Sequence, residues 1–247
     1  MRLTPLHLMI MTLLSSLMLL SLNARASTDL YDLSGMATHQ SHFQLALAAA
    51  QQRYAQQLPR SVHESLVRQS NQRFAADGMH NRARTRLAVA LDDSAQRDAV
   101  AFFNTPLGRK VVQAETRATA PASIAAIQRG LPAQPLSPER QQLIEQLSHS
   151  LPALELGVEV SMALANLATQ SANDLLGGLF QVPGELMSGN RDALRNQMQS
   201  NLPNTLAHVY RDLSDSELRA YLDWSQSSQG STTLRAMELA ARDALNP

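Results

Sequence analysis

Two stretches of the chain, 122 positions apart, carry one pattern. LDDSAQRDAVAFFNTPLGRKVVQAE (Leu91–Glu115) aligns without a gap to LSDSELRAYLDWSQSSQGSTTLRAM (Leu213–Met237). Identical pairs are Leu91/Leu213, Asp93/Asp215, Ser94/Ser216, Arg97/Arg219, Gly108/Gly230 and Ala114/Ala236, and Phe102 faces Trp224 as an aromatic pair. A unit used twice buries its apolar face against its neighbour, so the repeat constrains the fold more than any local propensity. Upstream, DLS at Asp32–Ser34 resembles QLS at Gln146–Ser148 at an offset of 114, so the second copy gains about eight residues in between. Two repeated multi-helix units are expected, residues 27–135 and 136–247, joined by the link Gly130-Leu131-Pro132-Ala133-Gln134-Pro135.

The units read as helix throughout. Leu and Ala supply 75 of the 247 residues and Val and Ile only 14, a composition that disfavours strands. Phe43, Leu47, Ala50 and Tyr54 recur at i, i+4, i+7 and i+11 on one helical face. Pro59 restarts the chain, and a second helix follows to about Ala76. Asp77-Gly78 and His80-Asn81 read as a turn before a run from Asn81 to Leu91. A longer helix over 151–173 carries Leu154, Val158, Met162, Ala165 and Thr169 on one stripe, with Leu156, Val160, Leu164 and Leu167 beside it. With most of its circumference apolar, that helix belongs in the middle of a bundle. The expected class is all-α, packed as a helical bundle.

Within the repeat, Ser94 and Ser216 lie near helix starts, with acidic neighbours that suit an N-terminal end. Thr105-Pro106 is an N-cap followed by proline at the first helical position, and Ser227-Ser228 can cap the second copy without a proline. Gly108 and Gly230 fall in the first turn of the next helix, where glycine costs about 1 kcal/mol relative to alanine. Its recurrence predicts close approach by another helix, with Phe102 or Trp224 nearby. The stripe Val111, Ala114, Ala118 and Ala125 then points inward. This order of acidic start, helix, aromatic, Ser/Thr-Pro-x-Gly and helix resembles the bacterial exported domain-of-unknown-function 2059 family. NTPLGRK (Asn104–Lys110) carries the resemblance, and SSQGSTT (Ser227–Thr233) is a divergent copy that lacks the proline. The resemblance implies an exported helical protein and offers no catalytic residues.

Residues 1–26 read as a secretory signal. Arg2 supplies the positive start, Leu6–Leu22 the apolar core, and Ala24-Arg25-Ala26 the small-x-small cleavage pattern before Ser27. An uncleaved anchor is the alternative, against which stand the short core and His7 within it. The chain has no cysteine, so the exported product holds its fold without disulfides or a cysteine-borne lipid. It is expected to be periplasmic and soluble, with no stable membrane span after cleavage. The zero formal charge becomes −2 once two signal arginines are removed, with +4 on residues 27–135 and −6 on 136–247.

Chemistry finds few footholds. Thiol catalysis is excluded, and the chain has no Gly-x-Ser-x-Gly elbow and no phosphate-cradling loop at Gly177-Gly178. His39/His42 and Glu145/His149 have helical ligand spacing, and His63-Glu64 begins like a zincin motif with Val67 where the second histidine belongs. Such pairs read more simply as surface histidines, so neither cofactor nor metal is expected. Glu155 and Glu159 continue into a stripe of Ala163, Asn166, Gln170 and Asn173, a polar seam rather than an acid/base pair. Arg82, Arg84 and Arg86 form the basic patch, read either as a surface for anionic headgroups or as a face drawn to the acidic half. Without aromatics nearby it does not suit nucleic acid. The second copy's extra residues fall in LLGGLFQVPGELMSGN (175–190), where four glycines accompany Leu179, Phe180, Val182, Leu186 and Met187. This excursion either covers the core or offers an apolar surface to a partner or ligand.

The leading expectation is an exported non-enzymatic protein that binds an envelope protein or polypeptide. A carrier of a small apolar ligand between the two units is the alternative, and a metal-dependent enzyme comes third. The sequence leaves the oligomeric state open.

Overall fold

A computed structural model describes residues 30–167 and 184–246, with side chains of 184–190 left aside. The signal reading, Leu179, Phe180 and Val182 therefore lie outside the described residues, and Leu186 and Met187 are placed by backbone alone. The described residues form eleven α-helices and no strand, an all-α fold. In chain order they are α1 (Met36–Ala55), α2 (Arg60–Arg73), α3 (Ala76–Ala90), α4 (Asp93–Phe103), α5 (Pro106–Thr119), α6 (Pro121–Gln128), α7 (Pro138–Ser150), α8 (Ala153–Ala165), α9 (Gly184–Val209), α10 (Asp215–Gln226) and α11 (Ser228–Leu245).

Local chemistry sets most boundaries. Thr105 accepts from Gly108 N at 2.9 Å and begins α5, with Pro106 in its first turn. Ser227 accepts from Gly230 N at 3.0 Å and begins α11. The same hydroxyls donate back to Phe102 O at 2.7 Å and Trp224 O at 2.6 Å, so the two junctions are built alike. Helices α4 and α10 are capped by Asp92 and Ser214, two residues before Ser94 and Ser216.

Three expectations change. The turn at Asp77–Asn81 is helical, because the chain breaks earlier, where Phe74 leaves the α2 axis to pack edge-on against Phe43 at 5.2 Å. Gly78 then sits in the first turn of α3, whose leading amides have no intrahelical acceptor anyway. The helix expected over 151–173 is interrupted at Asn166, the C-cap of α8, and its residues 168–173 lie outside the described residues. Only Val158 of α8 is fully buried, and all its other residues but Ala165 are half-buried, with α9, α11 and α1 packed against the helix. Ala125 does not continue α5, because Ala120-Pro121 ends that helix and begins α6.

Two apolar cores result. The first joins Leu30, Tyr31, Phe43, Leu47, Leu66, Met79 and Leu87 to Ala236, Ala240 and Leu245 of α11. The second joins Leu143, Leu147, Leu206, Leu218 and Leu222 to Val111 and Ala114 of α5. Residues 27–135 and 136–247 thus share both cores, since α5 and α11 each cross into the core built mainly by the other half. The longest helix contact runs between α3 and α11. Phe102 and Trp224 border both cores and stack nearly parallel, ring centres 3.6 Å apart and planes at 6°.

Candidate functional sites

The three arginines of the basic patch lie along α3 and are engaged within the chain. Arg82 Nε donates to Asp243 O at 2.9 Å and its Nη2 to Ala244 O at 2.6 Å. A guanidinium at the C-terminal carbonyls of α11 meets the negative end of that helix. Arg86 forks onto the Asp243 carboxylate at 2.7 and 3.3 Å. Arg84 lies over the Tyr31 ring at 4.8 Å and 3.8 Å from Asp32. The patch thus ties α3 to the last helix and to the residues preceding α1.

Tyr31 anchors that leading segment. Its hydroxyl lies 2.6 Å from both Gln40 Oε1 and His80 Nδ1, and burial pushes its phenol up to about 12. His80 is lowered, first by burial and then by the charge of Arg84.

His39 and His42 meet at one hydroxyl, each Nδ1 being 2.9 Å from Thr119 Oγ1. Thr119 donates its proton to Thr116 O at 3.0 Å, so both imidazoles donate Nδ1–H to the oxygen. The pair fastens α1 to the end of α5. Burial, then the neighbouring His42, lowers His39 to about 4. The unfolded chain takes up this proton near the ordinary value of 6.5 and the folded chain only near 4. His39 therefore leaves stability intact above 6.5 and removes it progressively as pH falls towards 4. The urea midpoint should fall across that window, and His39→Gln should remove that part of the decline. An unchanged pH profile in the variant would refute the assignment.

The other histidine pairs are separate. Glu145 and His149 are exposed and lie 3.3 Å apart, and His63 Nε2 lies 3.0 Å from Gln51 O. Among the described residues no group of three His, Asp or Glu side chains is arranged to hold a metal.

Glu155 and Glu159 line a charged seam of three helices. Arg195 of α9 pairs with Glu155 at 2.6 Å and Arg191 with Glu159 at 2.5 Å. Arg242 of α11 sits between Glu155, Glu159 and Glu238, at 3.6, 3.7 and 3.0 Å. Met198 of α9 packs over Gly157 of α8, its Cε 2.5 Å from where a Cβ would stand.

Sequence reasoning missed one group. Glu115 of α5 accepts on Oε1 from Tyr210 Oη at 2.7 Å and from Tyr221 Oη at 2.9 Å. Burial raises its carboxyl above the ordinary range, and the two phenol donors offset that only in part. Both phenols are raised well above their ordinary value, chiefly by burial and then by the Glu115 charge. Glu115 is the fourth residue after Val111 on α5, so an inward position was readable, but partners 95 and 106 residues away were not.

No curated protein and no solved structure matches the chain. Residues 77–135 do match a family model described as "Uncharacterized protein conserved in bacteria (DUF2059)". That stretch holds almost all of α3, with α4, α5 and α6, and includes the Thr105-Pro106-Leu107-Gly108 junction, Arg82, Arg84, Arg86 and Glu115. Over these residues the chain is similar to that family of bacterial proteins.

Proposed function

We propose that this is an exported, non-enzymatic helical protein that binds a polypeptide partner in the cell envelope through apolar helix faces. The observation that carries this reading is the incomplete burial of α6 and α8. The sequence of α6 is PASIAAIQ, yet none of its residues is fully buried, and α8 buries only Val158. Ile124, Ile127, Leu154, Leu156 and Met162 stay half-buried. Leu45 and Val89 are exposed at 54% and 74%. Apolar surface of this kind marks interaction sites when it is contiguous. The polar groups with the most chemical promise are meanwhile held by partners within the chain. Export rests on the pattern of residues 1–26. The reading of 136–247 as a divergent second copy is supported by the matched caps at Thr105 and Ser227 and by the Phe102–Trp224 stack.

The test places a photo-crosslinking residue at Ile127, at Leu45 and, as a polar control, at Arg109, in cells that make the full chain. A discrete polypeptide adduct is expected from the apolar positions and not from Arg109. No adduct, or the same adducts from all three, would refute the reading. A small apolar molecule retained in native mass spectrometry would favour the carrier instead.

A further inference from the structure

Three carboxylates lie at the inner side of helices in this fold, and two of them are neutralised. Glu159 is 11% exposed and meets Arg191 and Arg242, while Glu238 is 9% exposed and meets Arg235 and Arg242. Glu115 is different, because no arginine, lysine or histidine among the described residues lies within 4 Å of its carboxyl. Its partners are two neutral phenols, both on the same oxygen. They reach it from the second half of the chain, Tyr210 just beyond α9 and Tyr221 within α10.

Charged groups flank this node without touching it. Along α5, Lys110 pairs with Glu217 of α10 at 2.7 Å, and Arg117 pairs with Asp212 of the α9–α10 turn at 2.7 Å. From α7, Arg140 is held by Tyr210 O at 2.8 Å, Leu213 O at 3.0 Å and Asp215 at 2.6 Å. Each of these cations is committed to an acceptor other than Glu115. A half-buried carboxylate without a cation holds its charge at a cost that protonation removes.

We propose that Glu115 is a proton-operated latch between α5 and the α9–α10 corner, closed when its carboxyl takes up a proton from solvent and loosened when it ionises. The proton sits on Oε2, and Oε1 as a carbonyl oxygen keeps both phenol hydrogen bonds. Protonation therefore breaks no contact at the node and removes the half-buried charge. Ionisation keeps the contacts and restores the charge between two halves that share their cores. The direction of the Glu115 shift agrees with this geometry, since burial outweighs the phenol donors. A group whose folded value is raised contributes fully below its unfolded value and loses that contribution as pH rises through the folded one. His39, which fastens α5 to α1, works in the opposite sense, so the latch is read from a difference between variants.

The experiment measures urea midpoints of the full-length protein and of Glu115→Gln from pH 5 to 8, together with hydrogen exchange of residues 106–119 and 206–222. The amide accepts from both phenols and stays neutral. The advantage of Glu115→Gln over the wild type is expected to grow as pH rises. Opening of α5 in the wild type, corrected for intrinsic exchange, should increase by up to about tenfold per pH unit relative to the variant, the limit for one linked proton. If Glu115→Gln does not fold, Tyr221→Phe serves, because losing a donor to the anion moves the transition to higher pH. A difference independent of pH, or an unmoved transition in Tyr221→Phe, would overturn the latch.

Discussion

Gly230→Ala is expected to destabilise the protein by about 3 kcal/mol, the cost of forcing a side chain into a filled site. A Cβ at 230 would stand 1.8 Å from Trp224 O and 2.7 Å from Trp224 C. At Gly108 the same atom would stand 2.2 Å from Phe102 O and 2.8 Å from Phe103 Cα. Neither carbonyl can swing aside, because each accepts from the amide and the hydroxyl of the following cap, Ser227 or Thr105. Any shift also disturbs the Phe102–Trp224 stack between the cores. The intrinsic gain of about 1 kcal/mol from alanine in a helix does not offset this. Gly78→Ala is the milder comparison, since a Cβ there meets no backbone and only Arg82 Nη1, at 3.2 Å. Urea unfolding decides the matter: both junction variants should lose midpoint with an unchanged slope, and equal stability of all three would refute the packing described.

Arg242→Ala carries the second large effect, about 2 kcal/mol, because it removes the counter-charge shared by two nearly buried carboxylates and a third that is 27% exposed. Glu155, Glu159 and Glu238 converge on this guanidinium from two helices. Each keeps one other arginine (Arg195, Arg191 and Arg235 respectively), so the loss is partial and the fold should survive. Adding Glu238→Gln to Arg242→Ala should recover part of the loss by removing one of the facing charges. A double-mutant cycle tests this, and strictly additive costs would show that the two residues do not interact.

The seam around Arg242 also shows what the apolar pattern of α8 leaves out. Leu154, Val158 and Met162 mark an apolar stripe, and that stripe alone argues for a central helix. Glu155 and Glu159 turn the neighbouring face towards α9 and α11 through ion pairs, so the helix packs on its polar side as well. Apolar periodicity reports how much of a helix avoids water, not which other helices are free to cover it. The turn expected at Asp77–Asn81 failed for a related reason. Turn-forming residues are also tolerated in the first turn of a helix, and the burial of Phe74 against Phe43 decided where the break fell.

The legible features share one property, which is that cause and effect lie within a few residues. Thr105, Ser227, Pro106, Gly108 and Gly230 were readable because a cap satisfies an amide three residues on, and helix class followed from side chains repeating every turn. The sequence by itself therefore determined the helices, their capped junctions and the likeness of the two junctions. Only the tertiary structure decided that α5 and α11 cross into each other's halves, and that Arg82 meets carbonyls 161 and 162 residues away. It likewise decided that two tyrosines converge on Glu115. Contacts at such separations depend on the path of the whole chain, and an arginine or glutamate on a helix face looks the same in sequence whether it ends in water or on a partner.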